Sequence, residues 1–355
     1  MTELELRLME ILQIHSPTGE EQKMTVYIHR LLKDKAKILL TQNGLSLIYR
    51  SAQDGEKKTL GLFGHIDTIK AEFPESEETS DKIIGLGSSD MKGGVAIMLE
   101  LLRNFDPSRS KFNLIFTFYD REEGPYDENG LGPVLERFPF LQNIDLALIL
   151  EPTDNKLQIG CLGALHALVT FEGKAAHSAR PWLGENAIHK AWPLLKKLSE
   201  LERKEVTQDS LTFYEVINAT TTTTINTRNT IPGDFVLNLN YRFAPGKNIE
   251  EAKAELVEFI GDGCKIDFVD ECPSAPVIAT NPILQELQKE FELDIEPKQA
   301  WTDIARLSLY NIPAANFGPG QAAQAHKKGE FIEKKSLSES YQIFQKFIYG
   351  KEFEP

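Results

Sequence analysis

Three apolar runs, each halted by an ionisable residue, constrain this chain more than any other feature. Residues 60–63 lead through Gly64 to His65 and Asp67. Residues 112–119, almost all apolar or aromatic, stop at Asp120 and are followed by Glu122 and Glu123. Residues 146–150 stop at Glu151. Such runs suit strands buried on both faces of a sheet, and the helical periodicity between them suits an α/β fold. Ligands of α/β sheets sit at the carboxyl ends of the strands, so the residues that stop the runs can converge. In extended chain His65 and Asp67 share a side-chain direction, as when a carboxylate orients a metal-ligating imidazole. Alone, the pair reads more readily as a polar loop after a strand; its neighbours decide.

At 355 residues and 40.0 kDa the chain exceeds what one core usually supports, so two domains are expected. A net charge of −14 and a pI near 5.1 argue against a nucleic-acid surface or an anionic membrane as partner. Cys161, Cys264 and Cys272 are odd in number and scattered, which disfavours a disulfide framework or zinc ribbon and favours a reducing compartment. The acidic, helix-periodic N-terminus is not expected to act as a signal peptide, and no apolar run approaches the ~18 residues of a membrane span. A cytoplasmic protein is expected.

Along the chain, helices are expected at 3–14, at a second segment capped by residues 16–21, and at 95–102, which is apolar nearly all round and hence buried. Strands are expected at 36–40 and 46–49, with Asn43-Gly44 as a hairpin turn between them. From about residue 164 the texture changes. A strand over 165–171, a loop over 173–181, a helix over 186–201, strands over 213–224 and 235–243, a helix over 249–260 and a strand over 265–269 fit a small α+β sandwich. The five threonines from Thr220 to Thr224 read as strand propensity alone. Helices at 282–291 and 302–309, a strand at 312–317 and a helix at 336–349 restore the α/β texture. One α/β domain (1–163 and 275–355) interrupted by an inserted α+β domain (164–274) is therefore expected.

The polar residues at the strand ends and turns are His65, Asp67, Asp90, Glu122, Glu123, Glu151 and, late in the chain, His326. Two imidazoles and several carboxylates without Cys suit Zn²⁺, Mn²⁺ or Co²⁺. Seven groups exceed the needs of one ion and match a two-metal site plus a separate base. Glu122-Glu123 taken alone is a solvated acidic turn. After a buried strand, adjacent carboxylates call for a nearby cation.

These motifs, FGHIDT, SSDMKGG, DREEG, LEPTD and the final AHK, resemble the M20 family of co-catalytic zinc amidohydrolases and aminoacyl-peptidases, in family order over nearly the whole chain. The resemblance implies a di-zinc aminopeptidase-like catalytic domain with an inserted dimerisation (lid) domain, and two Zn²⁺ ions. It implies that His65, Asp90 and Glu151 hold one ion and that Asp90, Glu123 and His326 hold the other. Asp67 would orient His65, Glu122 would be the general base and acid, and the peptide after Asp90 would be cis. His177 would donate to the oxyanion in the other subunit's active site, so a homodimer is implied. Of the other histidines, His15, His29, His166 and His189 fall on helix or strand positions and read as structural or solvated.

Within the family, the stretches around His177, Arg242 and Thr302 resemble the branch, in its shorter actinobacterial-type form, that hydrolyses N-succinyl-LL-2,6-diaminopimelate to succinate and LL-2,6-diaminopimelate. Arg242, Thr302 and Asn229 match substrate-contacting positions, with Arg180 and Arg306 as lesser candidates. Two departures stand out: Arg228 lies where relatives carry Gly or Asn, and 321–325 lack an Asn that contacts substrate in longer relatives. The substrate would be a small acylated amino acid. The alternatives are an N-acetylornithine deacetylase, an aminopeptidase or dipeptidase, and a non-catalytic binding protein that has kept the fold.

Overall fold

The computed structural model describes residues 1–33, 38–40, 45–51, 53–71 and 75–353. The chain divides into two compact units, one of Met1–Ile159, Ile278–Glu296 and Arg306–Pro355, the other of Gly160–Val277 and Pro297–Ala305. The expected Asn43-Gly44 turn and residues 36–37 of the first expected strand lie outside the described residues.

An eight-stranded sheet, all in the first unit except residues 160–161 and 297–298, runs in the order Ile38–Leu40, Leu47–Arg50, Asn113–Tyr119, Thr59–His65, Leu146–Ile149, Ala314–Asn316, Leu157–Cys161 and Ile295–Lys298. Thr59–His65 is parallel to Asn113–Tyr119, with His65 opposite Tyr119, and parallel to Leu146–Ile149, with Phe63 opposite Ile149. Ala314–Asn316 is parallel to Leu146–Ile149 in turn. These four central strands therefore end at one edge of the sheet. Every residue of the three long apolar runs is buried, as strands covered on both faces require.

Helix Lys92–Arg103 is buried from Lys92 to Leu102 and packs against the helices Glu3–Leu12 and Lys334–Tyr349. Its buried carboxylate, Glu100, is matched by Arg7 at 2.8 Å. Helix Glu3–Leu12 starts at a capping box formed by Thr2 and Glu5 and buries Leu4, Leu8 and Ile11. Close approach around Glu151 needs glycine. A Cβ on Gly94 would run into the Leu150 carbonyl, and one on Gly318 would come within 2.6–2.7 Å of the Leu150 and Glu151 carbonyls.

In the second unit the antiparallel order is Lys204–Gln208, Leu211–Thr223, Asp234–Phe243, Gly163–Glu172 and Lys265–Cys272. Odd-numbered residues such as Leu165, Val169, Leu237 and Leu239 enter a core shared with Leu194, Leu256 and Ile260 of the covering helices. The helix expected over 186–201 is two helices, Ala187–Lys190 and Trp192–Glu200. Pro193, which has no N–H to continue the first ladder, explains the break. The expected loop at 173–181 contains the short strand Ala176–His177, paired with Thr230–Ile231. Among the described residues no helix is long and apolar enough to cross a membrane.

Candidate metal centre

The parallel strands deliver their polar ends to one place. His65 closes Thr59–His65, Glu122 and Glu123 follow Asn113–Tyr119, and Glu151 follows Leu146–Ile149. Asp90 comes from the turn before helix Lys92–Arg103, and the Asp90–Met91 peptide is cis. His326 arrives from the C-terminal part of the chain with a positive φ of 62°, an uncommon backbone state for a residue with a side chain.

His65 is buried, with Nε2 3.2 Å from Asp90 Oδ1 and 3.8 Å from Glu151 Oε1. His326 Nε2 lies 2.8 Å from Glu123 Oε2 and 3.8 Å from Asp90 Oδ2. The potential donor atoms form three groups, each within 4.8 Å: His65, Asp90 and Glu151; His65, Glu122 and Glu123; and Asp90, Glu123 and His326. Asp90 belongs to the first and last.

The ring of His65 is set by Asp67, though chiefly through its backbone. Nδ1 is 3.1 Å from the Asp67 carbonyl and 3.5 Å from the Asp67 carboxylate. A carbonyl can only accept, so Nδ1 carries a proton and Nε2 is the atom turned to the carboxylates. The Asp67 carboxylate holds the next turn. It accepts the Glu122 and Glu123 N–H groups at 3.0 and 3.1 Å and the Thr18 hydroxyl at 3.0 Å. The adjacent glutamates are thus pinned by their backbone.

Glu330 is a supporting residue that sequence reasoning missed. It is buried and accepts the N–H groups of Gly87, Ser89 and Asp90 at 2.8–2.9 Å, fixing the turn that carries Asp90. Burial, reinforced by the nearby Asp90 charge, pushes its carboxyl up to about 7 even though the three backbone donors pull the other way. In sequence it ends a Lys-Lys-Gly-Glu stretch that looks like a solvated turn; its spacing of four from His326 was the available signal. Lys92 was missed as well: its buried ammonium donates to the Ile11 and Ile14 carbonyls at 3.2 and 2.8 Å, and burial lowers its pKa to about 7.

The electrostatics call for positive charge. Burial disfavours the His65 imidazolium, yet hydrogen bonds to Asp67 and Asp90 outweigh it and hold the pKa well above the ordinary value. The His326 pKa is raised by its hydrogen bond to Glu123, against partial burial. Imidazole nitrogens and carboxylate oxygens gathered this closely fit divalent cations of the zinc, manganese and cobalt type by donor chemistry.

The remaining candidates lie in the second unit, apart from Arg306. His177 is exposed, opposite Thr230, and its Nδ1 accepts the Ala179 N–H at 3.1 Å. That leaves the proton on Nε2, a donor facing outward. Asn229 joins the same turn by accepting the Ser178 N–H at 2.9 Å through its carbonyl. Arg180 and Arg228 are exposed. Arg242 is partly buried on the sheet, with Nε donating to Asn240 Oδ1 at 2.8 Å. Thr302 is buried, and its carbonyl accepts the Ala305 N–H. Arg306, in the first unit, donates to the Tyr126 carbonyl at 2.6 Å with its guanidinium 3.8 Å over the Tyr126 ring, which reads as a structural role.

Comparison with known proteins agrees with this geometry. Residues 61–350 match the model of peptidase family M20/M25/M40. A succinyl-diaminopimelate desuccinylase of Corynebacterium glutamicum is 31% identical over 352 residues, covering 95% of this chain and 94% of the relative. A putative succinyl-diaminopimelate desuccinylase of Mycobacterium tuberculosis is 29% identical over 344 residues, 96% of each chain. The crystal structure of a tripeptidase from Staphylococcus aureus shares the fold with a TM-score of 0.78 at 18% identity, covering 98% of this chain and 97% of that one.

Proposed function

The chain belongs to peptidase family M20/M25/M40, and from that premise we propose that it is a di-zinc amidohydrolase that cleaves N-succinyl-LL-2,6-diaminopimelate to succinate and LL-2,6-diaminopimelate. The observation that carries the substrate is the near-full-length likeness to two proteins of that named activity. The observation that supports the chemistry is the pair of donor groups sharing Asp90.

In this reading His65, Asp90 and Glu151 hold one ion, and Asp90, Glu123 and His326 hold the other. Bound there, the ions supply Lewis acidity and bring the pKa of a water molecule toward neutrality. Glu122, whose backbone is pinned by Asp67, accepts a proton from the attacking water and returns it to the leaving amine. The partner subunit's His177 donates through Nε2–H to the developing oxyanion, and the working species is a homodimer. Arg242, Thr302 and Asn229 contact substrate, with Arg242 taking a carboxylate. The ions are Zn²⁺, with Co²⁺ or Mn²⁺ as substitutes, and the setting is the cytoplasm, a reducing compartment that suits the scattered Cys161, Cys264 and Cys272.

The test is turnover by purified enzyme of N-succinyl-LL-2,6-diaminopimelate beside N-acetylornithine, with and without chelator. Preference for the succinyl substrate and loss of activity on chelation are expected. Equal or better turnover of N-acetylornithine would overturn the substrate assignment while leaving the metal chemistry standing.

A further inference from the structure

One face of the five-stranded sheet carries a chain of polar side chains that the mechanism above does not use. Odd-numbered residues of Gly163–Glu172 and Asp234–Phe243 enter the core, so His166, Asn238, Asn240 and Arg242 share the opposite face. His166 is directly opposite Asn240 on one neighbouring strand and Asp270 on the other. Arg242 Nε is 2.8 Å from Asn240 Oδ1, and Asn240 Nδ2 is 2.8 Å from His166 Nε2. Asn238 Nδ2 lies 3.1 Å from His166 Nδ1 and donates to the Thr220 hydroxyl at 2.5 Å.

The donor order in this chain follows from one fixed end. A guanidinium can only donate, so Asn240 must turn its oxygen to Arg242 and its NH₂ to the imidazole. His166 Nε2 then has to accept, which puts the ring proton on Nδ1. With the proton on Nδ1, the Asn238 amide has to turn over from the orientation in which Nδ2 faces the ring, so that its oxygen accepts from Nδ1–H and from the Thr220 hydroxyl. Burial of His166 favours the neutral ring this order needs, and Arg242 favours it further, against the opposing charge of Asp270. Asn240 is itself buried, so its amide has few other partners to turn to.

We propose that His166 is a positioning residue: by accepting from Asn240, it locks the acceptor that orients the Arg242 guanidinium toward a carboxylate on the substrate's acyl group. The inference rests on the reading of Arg242 as a carboxylate-binding residue. Without an acceptor at His166, the Asn240 NH₂ keeps only its long 3.4 Å bond to the Leu165 carbonyl, and the acceptor that holds the plane of Arg242 is loosened. The effect is confined to substrates whose acyl group ends in a carboxylate. A neutral acyl group such as acetyl asks nothing of Arg242.

Two measurements test it. In the ¹⁵N-labelled full-length protein, long-range ¹H–¹⁵N correlations of the imidazole rings, with His166→Gln to identify the signal, should show His166 protonated on Nδ1 and bare on Nε2. Protonation on Nε2 would overturn the relay whatever the kinetics give. In the metal-loaded enzyme, His166→Leu should raise KM for N-succinyl-LL-2,6-diaminopimelate roughly tenfold, with kcat changed by less than about twofold and metal content unchanged. His166→Gln, whose side-chain oxygen can still accept from Asn240, should restore most of KM. An unchanged KM in His166→Leu, or a loss in kcat alone, would overturn the proposal. Arg242→Ala separates the two ideas: if it leaves KM unchanged, the carboxylate-binding reading fails, while the tautomer still decides the relay.

Discussion

The two units hold their functional candidates in opposite ways. In the first, every candidate ligand but His326 is at most lightly exposed, and the backbone around them is clamped by buried carboxylates: Asp67 holds the Glu122-Glu123 turn and Glu330 holds the Asp90 turn. In the second, His177 and Asn229 sit on an exposed turn, and Arg242 depends on a chain of neutral side chains. The contrast separates groups placed to hold ions from groups proposed to meet the substrate. Donor atoms for a metal pair must be held closely or the ions are lost, whereas groups that meet a substrate need only be aligned when it arrives.

Substitutions can break this comparison at known points. The largest expected effect is that of Glu122→Gln: a loss of kcat of about 10²–10⁴-fold with metal content intact, as expected for a proton-transfer group that is not a ligand. A fall in metal content of the same variant would move Glu122 into the ligand set. His177→Ala should come next, lowering kcat by about 10²–10³-fold without touching metal binding, if its Nε2–H serves an oxyanion. Mixing that variant with Glu122→Gln should restore part of the activity in heterodimers, since one of the two sites would then be complete. No recovery would contradict the contribution across subunits.

Smaller effects sharpen the first unit's side of the contrast. Asp67→Ala should weaken metal affinity by about 10–100-fold in direct titration, because the glutamate turn and the His65 ring both lean on it. A loss of kcat at full metal occupancy would instead place Asp67 in the chemistry. The smallest effect concerns the second unit's own stability. Glu255 is partly buried, which alone would raise its pKa, but Lys247, Tyr241 and Lys204 hold it down from 4.5 to about 2. A carboxylate with a depressed pKa stabilises the fold above its ordinary value, and that contribution fades as pH falls from 4.5 toward 2. Glu255→Gln should therefore flatten the pH dependence of urea unfolding across that window. An unaltered slope would show that the cluster is solvent-screened.

Much of the first unit could be read from sequence because burial on both faces leaves a long apolar signature, and the polar residues that end such runs stand out. The strands Leu157–Cys161 and Ile295–Lys298 were not expected, being short and flanked by charge; pairing at the sheet edge, not local pattern, makes them strands. Glu330 went unread because three converging backbone N–H groups leave no trace in composition. His166 was read as a structural or solvated strand histidine, and the positioning role proposed for it rests on its register against Asn240, which no sequence pattern reveals. The break at Pro193 was open to inspection, since a proline cannot extend an existing helix.

The central claim, a metal pair sharing Asp90, is tested most directly by calorimetric titration of metal-free protein with Zn²⁺. The wild-type chain should take up two ions, Glu151→Ala and His326→Ala one each, and Asp90→Ala should lose high-affinity binding at both places. A single ion in the wild type, or unchanged uptake in both single-ligand variants, would contradict it.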